Sequence, residues 1–262
     1  MIPFYKYQGT GNDFIMIDDR ISRVEFNSNQ VKKLCNRNFG IGADGLILIR
    51  ELSGFDFEML YYNSDGLPGS MCGNGGRCAV AFAQFLGIIR KDAHFNAFDG
   101  PHRAEITSLD PFIVKLQMSD VNDVEDGKDF VFLNTGSPHY VKFVDSVSDL
   151  DVIAEGSSVR YNSRFKKDGT NVNFVKHEDG ILNVRTYERG VEGETLSCGT
   201  GVTASVLAAD FAGFKIASGC KVLTPGGTLL VHFKKNNGAY FDIWLEGPAG
   251  MVFSGRINKD TL

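Results

Sequence analysis

"MCGNGGRC" (Met71–Cys78) and "LSCGTGVTA" (Leu196–Ala204) each set a cysteine before small residues and then a run that reads as a helix. The runs, "RCAVAFAQFL" and "VTASVLAADF", are rich in Ala, Val, Phe and Leu on more than one face. A helix apolar nearly all round is buried. Each is therefore expected to be a central helix wrapped by sheet, stopped by Gly87 in the first case and Gly213 in the second. The cysteines lie 126 positions apart, and Thr10-Gly11 in "GTGNDF" lies 125 positions before Thr135-Gly136 in "NTGSPH". Two landmarks at nearly one offset imply a duplicated unit. The boundary is expected in the polar, acidic stretch Gln117–Asp129, giving 1–119 and 120–248.

The rest of the chain is rich in strand and turn signals. "FIMID" (Phe14–Asp18) and "GLILIR" (Gly45–Arg50) are short apolar runs bounded by Gly, Asn and Asp. Asp179-Gly180, Pro225-Gly226-Gly227 and Asn236-Asn237-Gly238 separate strand-like runs and predict hairpins. The expected class is α+β: two pseudo-symmetric domains, each an antiparallel barrel-like sheet around a central helix. One further helix is expected in "NSNQVKKLCNRNFG", with Asn27 or Ser28 as its cap and Gly40 beyond its end.

Composition narrows the function. Of 262 residues 23% are charged and the net charge is −5, with no basic stripe for nucleic acid. There is neither a signal-peptide core at the start nor an apolar run long enough to span a bilayer, so a soluble cytoplasmic protein is expected. The five cysteines form no CxxC pair, and no His/Cys/Asp spacing proposes a metal site. In a reducing cytosol they are expected as thiols, with Cys35, Cys78 and Cys220 as ordinary core residues.

A thiol at a helix start differs from a core thiol. Unpaired N–H groups and the positive dipole end favour its thiolate and can also hold a carboxylate. Two such thiols, one per repeat, suit removal of a proton from one face of an α-carbon and delivery to the other. No pyridoxal motif is recognisable, so the developing charge must be held by aimed donors in a dry site. One cysteine must be thiolate and the other thiol, exchanging roles for the reverse reaction.

Across essentially its whole length the chain resembles the diaminopimelate epimerase family. The resemblance rests on "GTGNDF", "NFGIGADGLI" (Asn38–Ile47), "YNSDG" (Tyr62–Gly66), "MCGNGGRC", "GSPH" (Gly136–His139), "GTNVNFV" (Gly169–Val175), "YERG" and "ETLSCGTG", in that order. It implies a pyridoxal-independent isomerase, without metal or other cofactor, interconverting LL- and meso-2,6-diaminopimelate for bacterial lysine and peptidoglycan precursors. It also implies an interdomain cleft as active site, a last strand (249–262) that completes the first domain, and a homodimer. Cys72 and Cys198 are implied as the acid–base pair, with His139 and Glu188 tuning the site. Gly73, Asn74, Gly199 and Thr200 are implied to hold the reacting carboxylate through backbone N–H groups. Asn12, Asn63, Asn171, Glu188 and Arg189 are implied to line the substrate pocket, Arg189 suiting the distal carboxylate.

Three departures stand out. Many members have Asn at Ser137, some have Gln at Gly45, and "ERGVEGETLSCG" has one residue more than the common form. Two other functions are compatible with the residues. One is a proline or hydroxyproline racemase, although that group resembles "MCGH" where this chain has "MCGN". The other is a non-catalytic relative with redox-sensitive thiols.

Overall fold

Thr10-Gly11 and Asp179-Gly180 have positive φ at both residues, the backbone that two-residue hairpins between right-twisted strands require. Such turns, and the apolar runs between them, build the computed structural model, which describes residues 1–69 and 71–258. The described residues fold as two compact units, 1–116 with 247–258, and 117–246; the end of the expected last strand, 259–262, lies outside the described residues.

The first unit runs β1 (Ile2–Gly9), β2 (Asn12–Asp18), α1 (Ser28–Cys35), β3 (Gly45–Arg50), β4 (Phe57–Asn63), α2 (Gly73–Phe85), β5 (Asp92–Ala97), β6 (Gly100–Leu109) and β7 (Phe112–Gln117). The second runs β8 (Val124–Asp126), β9 (Val131–Asn134), β10 (Pro138–Phe143), α3 (Val152–Arg160), β11 (Asn171–Glu178), β12 (Ile181–Glu188), β13 (Gly193–Thr195), α4 (Gly199–Phe211), β14 (Cys220–Thr224), β15 (Gly227–Asn236) and β16 (Ala239–Pro248). The chain then gives β17 (Gly250–Ile257) to the first unit, where it pairs antiparallel with β1 from Ile2↔Ile257 to Gln8↔Gly250.

The two units repeat one topology. β2 is parallel to β3, β3 antiparallel to β4, β4 parallel to β5, and β5–β6–β7 form antiparallel hairpins. In the second unit β10 is parallel to β11, β11 antiparallel to β12, β12 parallel to β14, and β14–β15–β16 are antiparallel. The fold is thus α+β in two repeated units, but the sheets are mixed where a purely antiparallel sheet was expected. The reason lies in the connections. Each parallel pair is joined through a helix, and a parallel pair needs such a crossover.

The helices lie on both faces of the strands. Ile15, Ile17, Leu46 and Leu48 pack with Val31, Leu34 and Cys35 of α1. On the other face, a Cβ on Gly75 of α2 would meet Ile47, Met59 and Phe14 at 3.3–3.5 Å. Two covered faces explain why β2 and β3 read as continuous apolar runs. Likewise Val152 of α3 packs with Val172, Phe174 and Tyr187, while α4 is buried at Gly199 and from Gly201 to Ala209. Buried hydroxyls of α4 are satisfied within the helix: Thr203 donates to Gly199 O and Ser205 to Gly201 O. At α1, Asn27 and Gln30 form a reciprocal capping box, worth about 1 kcal/mol.

Candidate active site

The registers bring the motif residues of each unit to one end of its sheet. In the first unit Phe14 pairs with Gly45, and Gly45 with Asn63. The start of β2 (Asn12), the start of β3 (Gly45) and the end of β4 (Asn63) therefore share an edge, and the chain leaves that edge to begin α2. In the second, His139 pairs with Asn171, and the next pair along β11–β12 is Val172↔Tyr187. That aligns the start of β10, the start of β11 and Glu188 at the end of β12. By topology Asn12 corresponds to Ser137, Gly45 to Asn171 and Asn63 to Glu188.

Cys72 and Cys198 are the N-caps of α2 and α4. Both have extended backbone, and neither caps its helix with its side chain. The helices start at Gly73 and Gly199, with first-turn bonds from Gly76 N to Cys72 O and from Val202 N to Cys198 O. Earlier N–H groups in each first turn have no carbonyl acceptor within their own helix. A Cβ on Gly201 would lie 3.3–3.4 Å from Cys198 Cβ and Sγ, so glycine there keeps the approach open. The three other cysteines differ. Burial pushes Cys35 and Cys78 up to about 12 and Cys220 up to about 11, which leaves them protonated at neutral pH.

Around Cys72 the sulfur lies 3.6 Å from Asn12 Oδ1, and Asn12 Nδ2 donates to Asp44 Oδ2 at 2.6 Å. Arg77 lies inside the "MCGNGGRC" motif with no role read for it from the sequence, yet it is fully buried. It donates to Asn74 Oδ1 (2.9 Å), Gly73 O (3.1 Å), Thr10 Oγ1 (3.3 Å) and Pro248 O (3.4 Å). Asn74 thus turns its side-chain oxygen inward, onto Arg77 and Thr10. Asn63 closes the turn after β4, accepting from Gly66 N and donating its N–H to Leu67 O.

Around Cys198 the sulfur lies 3.4 Å from Thr200 Oγ1, and Thr135 Oγ1 donates to Thr200 O at 2.9 Å. Asn171 binds three groups: it accepts from Arg189 N (2.9 Å) and donates to Ser137 Oγ and Pro138 O (both 2.9 Å). Arg189 also donates to Asp168 O (3.0 Å) and Ser137 Oγ (3.3 Å). Ser137 therefore anchors Asn171 and Arg189. Glu188 accepts from Thr195 Oγ1 at 2.8 Å.

His139 is fully buried. Asn173 Nδ2 donates to Tyr140 O, which can only accept, and to His139 Nδ1 at 3.1 Å. Nδ1 must then be the acceptor, so the proton sits on Nε2, which has no hydrogen-bond partner among the described residues. Burial first, and then the Arg189 charge, lowers the imidazole to about 3. His139 is neutral at physiological pH.

Two departures find physical reasons. A Cβ on Gly45 would lie 2.4 Å from the Tyr61 ring and 2.7 Å from Tyr62 O, so a longer residue has no room there. The longer loop after Arg189 is a tight turn in which Glu192 N returns to Glu188 O at 2.8 Å. Glu192 pins it by accepting from Arg160, Tyr161, Tyr187 and Gly190 N. Glu188 stays in register, paired with Gly193.

The family model described as diaminopimelate epimerase matches residues 4–123 and 131–252. A diaminopimelate epimerase of Flavobacterium psychrophilum is 49% identical over 258 residues, covering 98% of this chain and 100% of the relative. One from Chlorobaculum tepidum is 44% identical, covering 95% and 98%. Among solved structures, a PhzF-family phenazine biosynthesis protein of Bacillus anthracis shares the fold with a TM-score of 0.76 at 12% identity, covering 98% and 99%. A hydroxyproline epimerase of Agrobacterium vitis shares it at 0.70 and 14%, covering 97% and 91%. Identity at this level over both repeats, with the motifs in order, decides between the readings the residues left open: this chain belongs to the diaminopimelate epimerase family.

Proposed function

We propose that this protein interconverts LL- and meso-diaminopimelate by a two-base mechanism using Cys72 and Cys198, without pyridoxal. The observation that carries it is the pair of cysteines at the N-cap positions of topologically equivalent buried helices in two repeats, their thiols not spent on capping. One thiolate removes the α-proton, leaving the electron pair on the α-carbon and its carboxylate. The other thiol delivers its proton to the opposite face. Backbone N–H groups of Gly73, Asn74, Gly199 and Thr200 hold the carboxylate as its charge grows. Asn12, Asn63, Asn171, Glu188 and Arg189 bind the rest of the substrate, the guanidinium taking the distal carboxylate and Glu188 an ammonium. His139 acts as a neutral donor that tunes the site.

The reading places the protein in the cytoplasm, in lysine and peptidoglycan precursor synthesis. No helix of the described residues is long and apolar enough to cross a membrane. It also takes the protein as a homodimer, consistent with the exposed apolar run Met251-Val252-Phe253 on β17; sedimentation as a monomer at micromolar concentration would refute that state.

The test is incubation of the reduced protein with LL-diaminopimelate in D2O, beside Cys72→Ala and Cys198→Ala. Deuterated meso product, reduced at least about 1000-fold in both variants, is expected. No exchange from the folded wild type would sink the assignment.

A further inference from the structure

An asparagine amide has two ends of nearly the same shape, and its neighbours decide which way it points. Asn12 lies between an acceptor and a sulfur. Its Nδ2 is 2.6 Å from Asp44 Oδ2, and its Oδ1 is 3.6 Å from Cys72 Sγ. A carboxylate can only accept, so Asp44 must face the NH2 end, leaving the carbonyl end for the thiol.

Asp44 is itself held from several sides. Its Oδ1 takes Arg37 Nη2 at 2.8 Å and its Oδ2 also takes Asp13 N–H at 3.2 Å. Its own N–H donates to Asp13 O at 2.9 Å. Arg37 in turn grips both oxygens of Asp13, at 2.8 and 3.0 Å, and Lys6 pairs with Asp13 at 2.8 Å and donates to Gly42 O. Two cations and two carboxylates form a neutral, multiply bonded frame behind Asn12.

The matching place of the second unit is built differently. There the positions of Asn12 and Asp44 carry Ser137 and Thr170, and Ser137 Oγ takes Asn171 and Arg189 instead. Where Cys72 faces an amide carbonyl, Cys198 faces the hydroxyl of Thr200.

We propose that Asp44, aligned by Arg37, is a positioning residue that locks the Asn12 amide with Oδ1 toward Cys72, so that this thiol site carries a fixed carbonyl acceptor. The proposal rests on the epimerase reading, in which Asn12 meets substrate. An acceptor there can receive the S–H of Cys72 or an ammonium hydrogen of the substrate. A reversed amide presents two donors to the same space and opposes both. With Asp44→Asn the partner can both donate and accept, so the lock is lost.

The experiment is a double-mutant cycle on kcat and KM with LL-diaminopimelate, using wild type, Asn12→Ala, Asp44→Asn and the double variant, with melting temperatures recorded. Asp44→Asn is expected to lower kcat/KM roughly tenfold, the scale of one charge-assisted hydrogen bond. In the Asn12→Ala background the same change is expected to cost no more than about twofold. Losses that multiply in the double variant, or wild-type kcat/KM in Asp44→Asn, overturn the proposal, because a role in general stability would not depend on Asn12. Full activity of Asn12→Ala defeats the reading of Asn12 as a substrate residue, and the proposal with it. If Asp44→Asn does not fold, Arg37→Gln, at a side chain 59% exposed, takes its place in the cycle, with the same expectation and the same overturning results.

Discussion

His139 shows what burial does to a single residue. Its imidazole is held neutral, with a native pKa of about 3, against about 6.5 for an exposed histidine. Below about pH 6.5 the unfolded chain takes up a proton that the folded protein refuses. Stability from this site is therefore fully present above that pH and falls steadily as pH drops toward 3. His139→Gln removes the term, so the dependence of unfolding free energy on pH should flatten by up to one proton, about 1.4 kcal/mol per pH unit, between about pH 4 and 6. Urea unfolding at several pH values measures this, and an unchanged slope would show that His139 is protonated in the native protein. Asp13 acts lower on the scale. Burial alone would raise it, but Arg37 and Lys6 outweigh burial and bring it to about 2. Its contribution is present above about pH 4 and lost as pH falls through about 2, below the range of about pH 4 to 6 in which the histidine slope is read.

At the scale of the element, the helix starts are the sensitive points, and their glycines are not alike. A Cβ on Gly75 meets only apolar side-chain ends at 3.3–3.5 Å, so Gly75→Ala should cost little. A Cβ on Gly201 meets Asn173 Oδ1 at 2.4 Å. That oxygen accepts from Thr186, and the same amide holds His139. Gly201→Ala should therefore destabilise by about 1–3 kcal/mol and lower activity, whereas Gly75→Ala stays close to wild type in thermal melts. Equal effects at the two positions would contradict the geometry. The two helices themselves were legible because long apolar runs bounded by Gly87 and Gly213 have one reading, and the hairpins because Asp179-Gly180 and Asn237-Gly238 carry the required positive φ. α3 was not legible. "VIAEGSSVR" holds a glycine and two serines, and it forms because Asp151 caps it and Gly156 lets it lie against Tyr187. The parallel pairings were missed for a related reason: no local signal marks which strand a crossover returns beside. Arg77 and Asp44 give no local signal because their importance lies in partners distant in sequence, Thr10 and Pro248 for one and Asn12 for the other.

At the scale of the molecule, the repeat is complete in topology but not in chain order. The second unit is a continuous segment, whereas the first needs the end of the chain. β17 pairs with β1 from Ile2 to Gln8, opposite the edge that β2 takes, and Phe253 packs edge-on against Phe4 at 6.0 Å. Pro248, just before it, accepts from buried Arg77. A chain ending at Glu246 keeps both thiols and every residue of the second unit. It loses the β1–β17 ladder, the cover over Phe4 and one acceptor of a buried guanidinium, which together exceed the small margin by which a domain is stable. Hydrogen exchange should then show the β1, β2 and α2 amides unprotected, while β10, β11 and β12 keep protection within about tenfold of the full chain. Loss of protection in both units together would show instead that they fold as one cooperative body. The truncated chain should also be inactive, because Arg77 ties Gly73 O and Asn74 Oδ1 in the first turn behind Cys72, and on the proposed mechanism that turn supplies the thiol's helix N-terminus and the donors to the carboxylate.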